Sequence, residues 1–338
     1  MVRKVIITAF AGLALSVNAL AGSKPVGVII ETDMGNDIDD ALAMDLAYKA
    51  MDDGKIDILG IGVHKLSPTA ADYVDVLNTW YGYGSIPIAL SPTPVYNQHQ
   101  RDYTIPVCAM RNAKGKAQWK RSKNGGDYEN PVKLYRKLLS ERPDSSVVFI
   151  SLGFGTEVAK LLQSGPDAIS PLSGKDLVRQ KVKYLSIMGG SYGAKQRAEY
   201  NVINDIPAMK VVFDEWPTPI VQNPFEIGPM VKFHGEIVDK NFNWTDKHPV
   251  IDGYREYMKM PYDRPTWDLL SIIYVTNPEL FTKSEPGTVE VTADGYTVFT
   301  PDVNGNVVRL TATDSQIKEL DRYIMDTISR KPKKIKNN

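Results

Sequence analysis

Residues 26–51 read "VGVIIETDMGNDIDDALAMDLAYKAM", and the fold turns on how this stretch divides. Val26 to Ile30 is an unbroken apolar run, and Asp33, Asp37, Asp39 and Asp40 crowd behind it. Ala43, Leu46 and Ala47 then recur at helical spacing. A short apolar run that passes into a helical period is a strand feeding a helix. The acids therefore fall on the strand-to-helix turn and on the first turn of the helix.

The same alternation continues downstream. Strands are expected at 56–63 ("IDILGIGV"), at 86–90 ("IPIAL"), and in "SVVFISLG", "VKYLSIMGG" and "TPIVQN"; helices are expected in "AADYVDVLNTWYG", "TEVAKLLQ" and "IPAMKVVFDEW". Repeated βαβ units predict an α/β fold: an open, mostly parallel sheet with helices on both faces, Rossmann-like in kind. Residues 97–135 are polar and aromatic without a period, which reads as a long loop. Asp294-Gly295 and Asn304-Gly305 each separate β-prone residues, so two β-hairpins are expected at about 286–313, before a last helix in "DSQIKELDRYIMDTI".

The chain opens "MVRKVIITAFAGLALSVNALAGS": a basic start, an apolar run, then Ala19-Leu20-Ala21. That is the pattern of a secretory signal peptide over 1–21. It implies an exported chain, periplasmic or extracellular, with no membrane attachment after cleavage. One domain is expected over 22–330, followed by a basic tail at 331–338. Residues 1–21 carry Arg3 and Lys4 and no acid, so the 40 basic and 40 acidic residues become 38 against 40. A balance so near neutral offers no electrostatic footprint for nucleic acid. Cys108 is the only cysteine, so a core rather than disulfides must hold the fold.

Four carboxylates this close repel one another unless solvent, shared protons or a cation offsets the repulsion. One or two acids at a helix N-terminus are explained by its free N–H groups and dipole, worth about 0.3–1 kcal/mol each. Four are not. In open parallel sheets ligands sit beyond the carboxyl ends of the strands, which is where this turn lies. The residues alone leave two readings, a solvated acidic turn or a metal site. A hard cation such as calcium suits clustered aspartate oxygens. Zinc does not, because His64, His99, His234 and His248 show no ligand spacing.

Here the chain resembles the inosine–uridine-preferring nucleoside hydrolase family, whose signature is a strand followed by D-x-D-P-G-x-D-D-A. Glu31-Thr32-Asp33-Met34-Gly35 and Asp39-Asp40-Ala41 match its two halves, with two extra residues around Asn36-Asp37 between them. Three later blocks follow in the family's order: "LGFGTEVA" (152–159), "MGG" (188–190) with "AEYNVINDIPA", and "TWDLLSIIYVTNPELF". The resemblance spans roughly 26–280, with the expected hairpins outside it.

The resemblance implies a hydrolase that cuts the N-glycosidic bond of ribonucleosides, a small-molecule substrate, with calcium as cofactor. Carried over residue by residue, Asp33, Asp40, Asp268 and the Leu152 carbonyl hold calcium. Asp33 also serves as general base, and Asp39, Glu199 and Asn201 bind ribose. Trp267 stands where relatives often have a histidine before the late aspartate, and offers a stacking surface for the base. His64 stands near a ribose-contacting position and reads equally as a substrate contact or a surface residue. Asp37 has no counterpart and reads as exposed. Two other readings stay open: a calcium-dependent nucleoside or ribose binder without catalysis, and a hydrolase of another ribosyl or glycosyl compound. A homo-oligomer is compatible with all of them.

Overall fold

The computed structural model describes residues 24–95, 102–123 and 128–335. The expected signal peptide, His99 and the last three residues of the basic tail lie outside them. In chain order the strands are β1 (Val26–Thr32), β2 (Ile56–Lys65), β3 (Ile88–Val95), β4 (Val147–Ser151), β5 (Val182–Met188), β6 (Ile220–Asn223), β7 (Lys232–His234), β8 (Asp263–Pro265), β9 (Thr282–Lys283), β10 (Gly287–Val291), β11 (Thr297–Pro301) and β12 (Val307–Thr311). The helices are α1 (Asp39–Asp52), α2 (Ala70–Trp80), α3 (Thr104–Ala109), α4 (Pro131–Ser140), α5 (Thr156–Gln163), α6 (Gly174–Lys181), α7 (Tyr200–Asn204), α8 (Ile206–Glu215), α9 (Pro249–Tyr257), α10 (Asp268–Thr276) and α11 (Asp314–Ser329).

The main sheet runs β11-β10-β12-β6-β5-β4-β1-β2-β3, parallel from β12 through β3. Within it β3-β2-β1-β4-β5-β6 is the doubly wound order, and the chain reverses direction of travel between β1 and β4. In such sheets that reversal opens a crevice beyond the carboxyl ends of the two strands. Asp33 follows β1 and Leu152 follows β4, so both stand at this crevice.

Both faces of the sheet are covered, which explains why β1 is apolar from Val26 to Ile30 rather than alternating. Val28 and Ile30 of β1, with Val148 and Ile150 of β4, enter one core; Ile29, Val147 and Phe149 enter the other. Helices α1, α2, α9, α10 and α11 belong to the first layer, and α4, α5, α6 and α8 to the second. Helix α1 is buried from Asp39 to Ala50 because α10 and α11 pack over its outer side. Its one buried cation, Lys49, bonds Asp45 Oδ2 at 2.8 Å and the Ile328 carbonyl at 2.6 Å, which ties α11 down.

The C-terminal ribbon differs from the two hairpins expected. β10 and β11 form an antiparallel hairpin around Asp294-Gly295. β12 instead lies parallel to β6 and carries β10 on its other edge, so the ribbon extends the main sheet. The physical reason is at Gly305: a Cβ there would stand 2.1 Å from the Gly287 carbonyl oxygen. Gly305 is thus needed for a close crossing, whereas Gly295, with φ of 83°, is a true turn glycine. The stretch expected as loop at 97–135 also holds α3 and the start of α4, the latter capped by Asn130 and begun by Pro131.

Candidate functional site

A cavity of about 350 Å³ opens at the crevice, lined among others by Asp33, Asp39, Asp40, Leu152, Glu199, Asn201, Trp267 and Asp268. Segments far apart in sequence meet here because each follows or opens an element at the carboxyl edge of the sheet. Asp33 follows β1, Asp39 and Asp40 open α1, Leu152 follows β4, and Asp268 opens α10.

The N-termini of α1 and α10 face each other through Asp39. Its Oδ2 accepts the backbone N–H of Trp267 at 2.9 Å and of Asp268 at 3.1 Å, satisfying donors that the first turn of α10 leaves open. Asp40 Oδ1 accepts the Thr32 hydroxyl, and Asp33 Oδ2 accepts the Asn36 amide. Asn201 donates from Nδ2 to the Leu152 carbonyl at 2.9 Å and to the Met188 carbonyl at 3.3 Å, bridging the ends of β4 and β5. Both Glu199 oxygens accept backbone N–H groups, from Gly190 and from Asn201, each at 3.1 Å.

Asp39, Asp40 and Asp268 each bring a carboxylate oxygen to within 4.8 Å of the others, and all three are buried. Burial pushes their carboxyls well above the usual range, and repulsion from neighbouring carboxylates, Asp37 among them, pushes further. Burial likewise raises Asp33 to about 6, against the lowering effect of the Asn36 bond and the Lys65 charge. It raises Glu199 to about 7. An all-oxygen donor set whose members repel in the absence of a cation is one that a divalent metal ion fits.

The turn after β4 approaches the acids without a side chain. A Cβ on Gly153 would lie 2.6 Å from both Asp33 Oδ1 and His64 Nε2. His64 is therefore neither at the surface nor among the residues that line the cavity, which corrects both expectations for it. It is fully buried at the end of β2, where its Nε2 accepts the Phe154 backbone N–H at 2.9 Å. Burial lowers its pKa to about 3, so the ring is neutral and supports the turn behind Asp33.

Asp37 is not simply exposed either. It accepts two bonds from the Arg264 guanidinium, one from Nε at 2.8 Å, and both residues line the cavity. Trp267 stacks on Phe225 with ring centres 5.4 Å apart, and its Nε1 donates to the Phe225 carbonyl at 3.0 Å. Sequence reasoning missed Arg197, Phe225, Tyr257 and Arg264, which also line the cavity. Arg197 and Arg264 lie two and three residues before Glu199 and Trp267. Proximity to those blocks was the available signal.

A doubly wound sheet with a carboxylate-floored cavity at its reversal point defines an α/β protein of the nucleoside hydrolase fold. The chain belongs to the inosine-uridine preferring nucleoside hydrolase family, whose sequence profile matches residues 28–322. The match runs through the C-terminal ribbon, beyond the 26–280 span of the resemblance read from the sequence. Among solved structures, a plant nucleoside hydrolase superposes with a TM-score of 0.67 at 18% identity, covering 90% of this chain and 99% of that one. The inosine-uridine preferring nucleoside hydrolase of Bacillus anthracis gives 0.67 at 17% identity, covering 90% and 100%. The purine-preferring ribonucleoside hydrolase of Gardnerella vaginalis gives 0.67 at 16%, covering 90% and 98%. No curated protein matches the chain by sequence.

Proposed function

We propose that the protein is a calcium-dependent N-ribohydrolase that cleaves ribonucleosides to ribose and free base. The observation that carries this reading is the set of buried carboxylates, Asp33, Asp39, Asp40 and Asp268, around one cavity at the reversal point of the sheet. Cleavage of an N-glycosidic bond leaves the sugar with oxocarbenium-like positive charge, and surrounding carboxylates stabilise that sign of charge.

Asp40, Asp268, Asp33 and the Leu152 carbonyl would hold the ion, and the close approach of Asp39 to Asp40 and Asp268 puts a further carboxylate within its reach. Bound there, calcium supplies coordination for vicinal sugar hydroxyls and positive charge that makes a neighbouring water more acidic. Asp33 takes the proton from the attacking water. With a pKa of about 6 it is mostly ionised at neutral pH, as a base must be. Asp39, Glu199 and Asn201 orient the ribose, and Trp267 with Phe225 offers aromatic faces to the base. Direct attack by water gives inversion at the anomeric carbon.

The N-terminal leader supports export to the periplasm or beyond, and the continuous main sheet supports one domain over 22–330. The test is release of reducing sugar from a panel of ribonucleosides by the purified chain. Release that stops with a chelator and returns with calcium is the expected result. Tight binding without release would favour a binding protein instead.

A further inference from the structure

One wall of the cavity is aromatic and basic. The Arg197 guanidinium lies 4.1 Å from the centre of the Phe225 ring, Phe225 stacks on Trp267, and Arg264 lies 5.4 Å from the Trp267 ring. The two arginines differ in one respect. Arg264 is neutralised by Asp37, whereas Arg197 is exposed at the cavity and forms no ion pair with a carboxylate among the described residues.

Arg197 is also held in place. Its loop is fixed by Glu226, whose Oε1 accepts the N–H groups of Tyr192 at 2.7 Å and Gly193 at 2.8 Å. On the other side Thr297 of β11 accepts the Ser191 N–H at 3.1 Å and the Gln196 amide at 2.6 Å. The C-terminal ribbon thus braces the loop that presents Arg197 to the cavity. Among the described residues, the aromatic wall meanwhile supplies no proton donor suited to neutral pH. It has no histidine among the described residues, and burial pushes the Tyr257 hydroxyl above its ordinary value. Both Glu199 oxygens are tied to backbone N–H groups in the sugar half.

We propose that Arg197 is the group that receives the leaving base, stabilising it as an anion rather than protonating it. The inference rests on the hydrolase reading above and names its substrate class: ribosides whose leaving group is itself a good acid. As the C1′–N bond breaks, its electron pair passes to the base. The water oxygen bonds to C1′ and gives one proton to Asp33. The base departs as an anion paired with Arg197 and takes its proton from solvent, while Asp33 returns its own to solvent. A guanidinium stays protonated throughout, so it contributes charge and N–H donors and not a proton. Rates should therefore follow leaving-group acidity, with xanthosine and inosine ahead of cytidine.

The experiment compares kcat/KM of the full calcium-loaded chain with those of R197Q and R197K, using these nucleosides, uridine and 4-nitrophenyl riboside, whose phenolate leaves unaided. R197Q should lose roughly 10²–10³-fold on inosine and uridine, the scale of one lost donor to a developing anion. The loss on the nitrophenyl riboside should be at least about tenfold smaller. R197K, which keeps the charge, should recover part of the loss on the nucleosides. A loss that is uniform across all substrates, or no loss at all, overturns the proposal, because a merely structural arginine would behave in one of those ways. A wild-type chain that splits the nitrophenyl riboside but no nucleoside overturns it as well. A chain that splits none of them overturns the hydrolase reading itself, and the inference with it.

Discussion

Asp37 and Arg264, 227 residues apart, form a two-pronged ion pair at the mouth of the cavity. The pair joins the extra residues of the β1–α1 turn to the segment that leads into α10, and Arg264 also lies over the Tyr257 and Trp267 rings. Removing Asp37 frees a half-buried guanidinium and loosens the aromatic wall it steadies. Asp37→Ala should cost about 1.5–3 kcal/mol in stability, the worth of a charged hydrogen-bonded pair. It should raise KM for nucleosides about tenfold. Calcium affinity by isothermal titration should stay where it is; a large fall would place Asp37 among the ligands.

The buried carboxylates predict an unusual pH response of the ion-free chain. Asp33 has its folded pKa raised from 3.8 to about 6, and those of Asp39, Asp40 and Asp268 are raised as well. Between the unfolded and folded values the native state holds protons that the unfolded chain has lost. This contribution to stability is full below the unfolded pKa and is lost as pH rises through the folded one. Tm measured in chelator should fall as pH rises from about 4 through about 6, the range the Asp33 shift spans. Calcium, bound by the native state alone, should remove the fall and add about 2.7 kcal/mol at a hundredfold excess over Kd. A Tm that neither falls with pH nor responds to calcium would argue against a cation site.

Gly153 and Asp33 touch where β4 ends against the crevice. Because a Cβ at 153 would meet Asp33 Oδ1 and His64 Nε2 at 2.6 Å, Gly153→Ala must displace the base, the histidine or the turn. A displacement near 1 Å costs about 10²-fold in rate. The variant should keep its circular dichroism spectrum and lose kcat by that order; a wild-type kcat would mean that Asp33 does not need this fixed position.

Much of this was legible in the sequence, for reasons particular residues make plain. β1 and α1 follow the sequence pattern because an apolar run that passes into a helical period is a strand feeding a helix, and "TEVAKLLQ" forms α5 over the same residues. β3 was expected to stop at Leu90 and runs to Val95. Pro92 and Pro94 suggest a break, but β3 is an edge strand, where a missing N–H costs no ladder bond. The Asn304-Gly305 signal misled because it is local, while β12 takes its partner, β6, from far away in sequence.

The site was legible where chemistry is written in blocks. The acids after β1 and at the start of α10, with Glu199 and Asn201, announce themselves by type and spacing, and all of them line the cavity. Arg197 and Phe225 do not, since single arginines and phenylalanines occur throughout the chain and only the sheet edge and the C-terminal ribbon bring these two together. His64 deceived in the opposite sense, because a chemically able residue turned out to be packed behind the site.

In the proposed reaction Asp33 takes a proton from the attacking water. This role is tested most directly by the kcat of Asp33→Asn beside the wild type, in saturating calcium, on the best nucleoside of the panel. Loss of a general base should lower kcat by about 10²–10⁴-fold with the fold intact. A kcat for Asp33→Asn within about tenfold of the wild type would contradict the claim.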